Sequence, residues 1–132
     1  MNAAVLAIIQ AAIVLVAGAT AVWWGGVAVT WVFGRLSPAA ETDDVAGPQA
    51  ETAVLRGGEW IGRVERTAVF ATVLTGFPEG IAIALALKGI GRYPELKTGS
   101  KVASERFIIG TFVSLLVAAG LGGLSHWALQ VI

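Results

Sequence analysis

Glu79 stands directly after Pro78 and is the only charge in the 21 residues from Thr67 to Leu87. A carboxylate in so apolar a stretch is costly in a bilayer, where such groups turn inward and serve as proton relays or ion sites. Two roles fit this acid. It could line an ion or proton path. Alternatively it is a protonated carboxyl, hydrogen-bonded to Ser114, to Thr72 or to the Leu74 carbonyl that Pro78 leaves without an N–H donor. Glu65 is the second acid of such a path. It precedes Arg66, and on a helix the two side chains project ~100° apart, so they cannot form one ion pair. Arg66, Lys88, Arg92, Glu105 and Arg106 cluster at the ends of apolar segments. They read as an interfacial charge network that fixes the helices; for Lys88, Arg92, Glu95, Glu105 and Arg106, which share one surface, the alternative is a basic patch for anionic headgroups.

Other chemistries are poorly supplied. The chain has no cysteine, one histidine and one methionine, which removes thiolate nucleophiles and makes haem or zinc ligation improbable. Ser125 and His126 are neighbours and do not face each other on a helix. Gly89 and Gly91 are too close for a phosphate loop. The reading is therefore of a non-enzyme with no metal and no cofactor.

The elements that must position these groups are membrane helices. Of 132 residues, 56% are apolar and 14% charged, with a mean hydropathy of +0.77, against ~25% charged for a soluble domain. Nine basic and nine acidic residues balance, so nothing points to nucleic acid. Residues 3–33 carry no charge and would form one helix of ~46 Å at ~1.5 Å per residue, longer than the ~30 Å hydrocarbon core. The run is too long for a signal-peptide h-region, and no basic stretch precedes it. Residues 34–57 read as a polar linker broken by Pro38 and Pro48. The second helix is expected over 58–92. Gly58, Gly62, Glu65, Thr72, Gly76 and Glu79 share its small, polar face, while Phe70, Leu74, Phe77, Ile81 and Leu85 take the bulky side. Residues 93–100 read as a tight turn and 101–129 as the third helix, with Gly110, Ser114, Ala118 and Gly122 as a close-packing ridge.

The fold expected is thus all-α and integral to the membrane: three transmembrane helices in a single domain, the last two forming a tight antiparallel hairpin. That hairpin sets Ser114 opposite Glu79, Glu105 opposite Lys88 and Arg92, and His126 opposite Glu65 and Arg66. The basic residues divide five against four between the two sides, which leans weakly to a cytoplasmic N-terminus.

Three runs carry a resemblance. They are Gly58-x-x-Ile61-Gly62-x-x-Glu65-Arg66, then Lys88-x-Ile90-x-Arg92-x-x-Glu95-Leu96, then Ser104 to Thr111 followed by Ser114. Together, over residues 58–114, they resemble a family of bacterial and phage integral membrane proteins known only as a domain of unknown function. The resemblance implies a shared membrane hairpin and brings no activity with it. Arg106 stands where a tyrosine often follows the second glutamate of that family.

Three helices with several small-residue faces hardly enclose a pore alone. The expected partners are therefore the bilayer and further copies of the chain, or a larger complex, in a cell membrane, with a bacterial inner membrane the reading for location. Two function classes follow. One is an oligomeric channel or transporter, proton- or cation-linked, that uses Glu79 with Glu65 assisting. The other is a structural or accessory subunit with no transport of its own.

Overall fold

The computed structural model describes residues 2–36, 48–98 and 101–132, without the side chains at 36, 48–58, 92, 95, 96, 98 and 103. It is all-helical: α1 (Ala3–Leu36), α2 (Pro48–Leu74), α3 (Gly80–Thr98) and α4 (Lys101–Val131). Two stretches, Ala3–Arg35 and Ser104–Val131, are long and apolar enough to cross a membrane, and a shorter apolar helix runs over Gly80–Gly91.

The expected second helix over 58–92 is two helices. The break lies at Thr75–Glu79, inside the apolar run that reads as one span. Its cause is local. Gly76 adopts a φ of +77°, a left-handed conformation that glycine enters without the Cβ penalty. The Gly76 amide donates to the Val73 carbonyl at 3.1 Å and the Phe77 amide to the Thr72 carbonyl at 2.8 Å. This pair of bonds is the Schellman motif that closes α-helices. Pro78 follows at once and, lacking an N–H, cannot continue the ladder. It suits the first turn of a new helix, and the amides of Ile81 and Ala82 bond back to the carbonyls of Pro78 and Glu79, each at 3.0 Å.

The other boundaries move as well. α2 begins at Pro48, before the expected start at 58, so the polar linker shrinks to 37–47, outside the described residues. The turn expected over 93–100 is helical as far as Thr98.

α3 folds back along α2. Gly80 packs against Thr72, and Lys88 reaches Glu65. The tight antiparallel hairpin is therefore α2–α3, with its tip at Gly76–Glu79. Contacts then fix the other directions. Arg66 meets Ser114, Phe70 meets Gly122, and the Leu74 carbonyl meets His126, so α2 and α4 run parallel. Arg66 packs on Gly25 and Phe70 on Gly18, so α1 is antiparallel to both.

The core is small: Ala21, Val69, Phe70, Leu115 and Ala118 are its buried apolar residues. Two glycines of the α4 ridge stand close to neighbouring helices, Gly122 to Phe70 and Val73 of α2 and Gly110 to Phe33 and Val29 of α1, and not to a face of small residues. A Cβ on Gly122 would lie 2.9 Å from the Phe70 carbonyl oxygen, and one on Gly110 would lie 3.3 Å from the Phe33 ring. Ala118, between them on the ridge, is fully buried. Gly76, assigned to the packing face, instead makes the turn. Gly58 lies among the residues whose side chains are not described. Large apolar side chains such as Leu15, Val16, Trp23, Leu116, Leu124 and Trp127 remain exposed, the pattern of a bundle whose outer surface meets lipid or further protein.

Candidate functional site: a charged cluster in the apolar bundle

Among the described residues Arg66 is the buried charged side chain, and it lies at the centre of the bundle. Its Nε donates to the Val22 carbonyl of α1 at 2.9 Å, and its Nη1 donates to Ser114 Oγ of α4 at 3.1 Å. The site exists because α1 offers no side chain there. A Cβ on Gly25 would collide with Arg66 Cδ, and one on Gly62 would stand 3.2 Å from Nη1. Gly26 follows Gly25 and keeps the same wall low, with Arg66 Nη2 3.9 Å from where its Cβ would stand. A guanidinium presents five donors in a fixed plane, which suits it to bridge a backbone carbonyl on one helix and a hydroxyl on another.

Glu65, one residue earlier, points to the other side of α2 and forms an ion pair with Lys88 of α3. Both side chains are mostly buried, at 16% and 18% exposure. The Lys88 ammonium also lies 5.5 Å from the centroid of the Phe107 ring, within reach of a cation–π contact. It thus links α3 to both α2 and α4. The adjacency that forbids an ion pair between Glu65 and Arg66 is what sends the two to different neighbours.

These groups line an open cavity of about 990 Å³ between all four helices. Glu59, Glu65, Arg66, Lys88, Arg106 and Ser114 contribute its polar wall, and Val29, Phe33, Ala84 and Leu87 are among its apolar lining. Charged and apolar surface therefore share one chamber. Among the described residues, no buried side-chain nitrogen or oxygen lacks a hydrogen-bond partner, and no group of three His, Cys, Asp or Glu is arranged for a metal ion.

The structure redistributes the candidate residues. Glu65, Arg66, Lys88, Arg106 and Ser114 come together around the cavity. Glu79 does not: it is exposed in the turn at the hairpin tip. Thr72 is also apart, its hydroxyl donating to the Val69 carbonyl at 2.9 Å while its methyl faces Gly80. The expected pairing of Ser114 with Glu79 is replaced by Ser114 with Arg66. The expected pairing of Glu105 with Lys88 is replaced by Glu65 with Lys88, and Glu105 is exposed. The side chain of Arg92 lies outside the described residues. The pairings of Ser114 with Glu79 and of Glu105 with Lys88 fail for one reason: they assume a straight helix over 58–92, and the chain reverses at Gly76.

The same assumption sets His126 against Glu65 and Arg66. It lies instead at the tip, where its Nδ1 donates to the Leu74 carbonyl at 2.9 Å. Pro78 deprives that carbonyl of a helical donor, and the imidazole supplies one. Gln130 Nε2 lies 2.9 Å from His126 Nε2, so the neutral ring that donates through Nδ1 and accepts through Nε2 satisfies both contacts. Sequence reasoning misses Gly25 and Val22 as parts of the site, because a glycine and a backbone carbonyl carry no chemical signature of their own.

Comparison with family models, curated proteins and solved structures finds no match to this chain.

Proposed function

We propose that the chain is a small multi-pass membrane protein of the channel or transporter class, working as a homo-oligomer, with the Glu65–Lys88–Arg66 cluster as its polar path. The observation that carries this reading is the open cavity inside an otherwise apolar bundle, walled by charges on α2, α3 and α4. Ionisable groups at such positions mark ion and solute pathways by default. In this reading α1 and α4 cross the bilayer, and α2–α3 enters and leaves from one side. Glu65 takes the role that the sequence alone assigns to Glu79, because it faces the cavity and Glu79 does not. The exposed apolar faces of α1 and α4 support contact with lipid and with further copies. The three runs over 58–114 are the support for kinship with the bacterial and phage membrane family that they resemble.

A second reading has its own support. The buried charges have partners within the chain, as in a cluster that only locks helices together within a larger membrane complex. Flux measurements in proteoliposomes separate the two. Wild-type protein should conduct protons or small ions above empty vesicles, and Glu65→Gln should lower that flux about tenfold or more with helicity retained. Glu79→Gln should leave it unchanged. Wild-type flux equal to that of empty vesicles, for protons and for small cations and anions alike, would leave the accessory role.

A further inference from the structure

Because the chain reverses at Gly76, four segments share one end of the bundle: the C-terminal end of α1, the N-terminal part of α2, the C-terminal part of α3 and the N-terminal end of α4. Arg35 closes α1. Arg56 and Arg63 lie on α2 before the core, Arg92 and Lys97 lie on the outgoing half of α3, and Lys101 and Arg106 open α4, while Arg66 and Lys88 lie deeper, in the central cluster. These are all nine basic residues of the chain. The opposite end holds the N-terminal part of α1, the hairpin tip and the C-terminal part of α4. Among the described residues there, Glu79 and His126 are the ionisable side chains, and none is Lys or Arg.

We infer that the chain sits with its basic end at the cytoplasmic, anionic leaflet, and with Asn2, the hairpin tip and Gln130 all on the opposite side. Lys and Arg close to membrane-spanning segments are retained on the cytoplasmic side, whereas Asp and Glu contribute little to orientation. The acids that share the basic end, Glu59, Glu65 and Glu105 among them, therefore do not weaken the bias. Setting aside Arg66 and Lys88, which are held in the central cluster, the division is seven against none, whereas a straight helix over 58–92 would carry Arg92, Lys97, Lys101 and Arg106 to the far side. It also reverses the lean to a cytoplasmic N-terminus. The conclusion is the same whether α2–α3 crosses fully or dips and returns, since both legs end on the side where they began. Two further features agree. Trp31 and Trp60 lie near the basic end beside Arg35 and Arg63, with cation–ring distances of 4.9 and 5.5 Å, as in an interfacial aromatic belt. Glu59 and Arg106, which line the cavity, belong to the same end, so the cavity carries its polar groups on the side assigned to the cytoplasm.

This inference rests on the membrane reading above, and one experiment tests each separately. The chain has no cysteine, so Asn2→Cys, Val102→Cys and Gln130→Cys each introduce a single thiol. Intact cells expressing each variant are treated with a membrane-impermeant maleimide, before and after permeabilisation, and membranes are washed with alkaline carbonate. The expected result is retention through the wash, full labelling of Asn2→Cys and Gln130→Cys in intact cells, and labelling of Val102→Cys only after permeabilisation, a difference of about fivefold or more. The reverse pattern in retained protein, Asn2→Cys and Gln130→Cys on opposite sides, or Val102→Cys labelled as fully as the other two in intact cells, overturns the orientation alone. Release by carbonate overturns the membrane reading and the orientation with it.

Discussion

Each polar side chain of the central cluster finds its partner on a different helix. Arg66 reaches a carbonyl on α1 and a hydroxyl on α4, and Glu65 reaches an ammonium on α3. Removing one member of the Glu65–Lys88 pair leaves the other mostly buried and uncompensated. A double-mutant cycle of Glu65→Gln and Lys88→Met, read by thermal unfolding in mild detergent, should give a coupling of about 0.5–3 kcal/mol, as groups in direct contact do. Glu105→Gln with Lys88→Met should be additive. His126 presents a second test. In His126→Leu the Leu74 carbonyl, part-buried at the hairpin tip, loses its donor, at a cost of about 1 kcal/mol, the low end for an acceptor left unpaired. His126→Gln, whose amide can donate, should recover part of the lost melting temperature. Equal losses in both variants would count against the carbonyl bond.

Among the helices, two features set the architecture. The first is the reversal at Gly76–Pro78. A β-carbon at φ +77° costs about 1–2 kcal/mol, and replacing Pro78 restores a donor for the Leu74 carbonyl. The double variant Gly76→Ala/Pro78→Ala should therefore shift the chain towards one continuous helix. Spin labels at the exposed positions 64 and 87 report this directly. In a straight helix they stand ~35 Å apart, whereas in the hairpin they belong to adjacent packed legs, at ~8–10 Å between axes. The second feature is the fit of α4 against its neighbours. Gly122 faces a backbone carbonyl, which cannot move without moving α2, whereas Gly110 faces the Phe33 ring and Val29, which can turn aside. Gly122→Ala should cost about 1–3 kcal/mol, the range for overpacking, and Gly110→Ala less. Equal melting temperatures for the two would contradict the difference in their neighbours.

Over the molecule as a whole, little apolar surface is hidden within one chain. α1 and α4 keep Leu15, Val16, Leu116 and Leu124 outward, faces that a bilayer or a second copy would cover. Tryptophan fluorescence tests the depth that this implies. With lipids brominated at mid-chain, a chain retaining Trp23 and Trp24 alone should be quenched more strongly than one retaining Trp31 and Trp127 alone, because the former lie nearer the middle of the bundle and the latter near its two ends. Equal and weak quenching in both would mean that the helices do not enter the hydrocarbon.

The all-helical class, the two long apolar helices and the small-residue ridge of α4 are legible in the sequence, because composition and spacing depend on neighbours a few residues apart. The reversal has a local signature as well: Gly76-Phe77-Pro78 is a helix stop followed by a helix start. It is outweighed by the 21-residue run from Thr67 to Leu87, whose length matches one crossing of a bilayer. Hydropathy measures how apolar a run is and is blind to its direction, so a hairpin of two short legs and one long helix score alike. Every long-range pairing depends on that choice. Ser114 with Arg66, Glu65 with Lys88 and His126 with the Leu74 carbonyl join residues 23 to 52 positions apart. The order of residues along the chain specifies the groups and their types. Which of them meet is a matter of the path through space, and a single turn at Gly76 both pairs them and returns Arg92, Lys97, Lys101 and Arg106 to the end that holds Arg35.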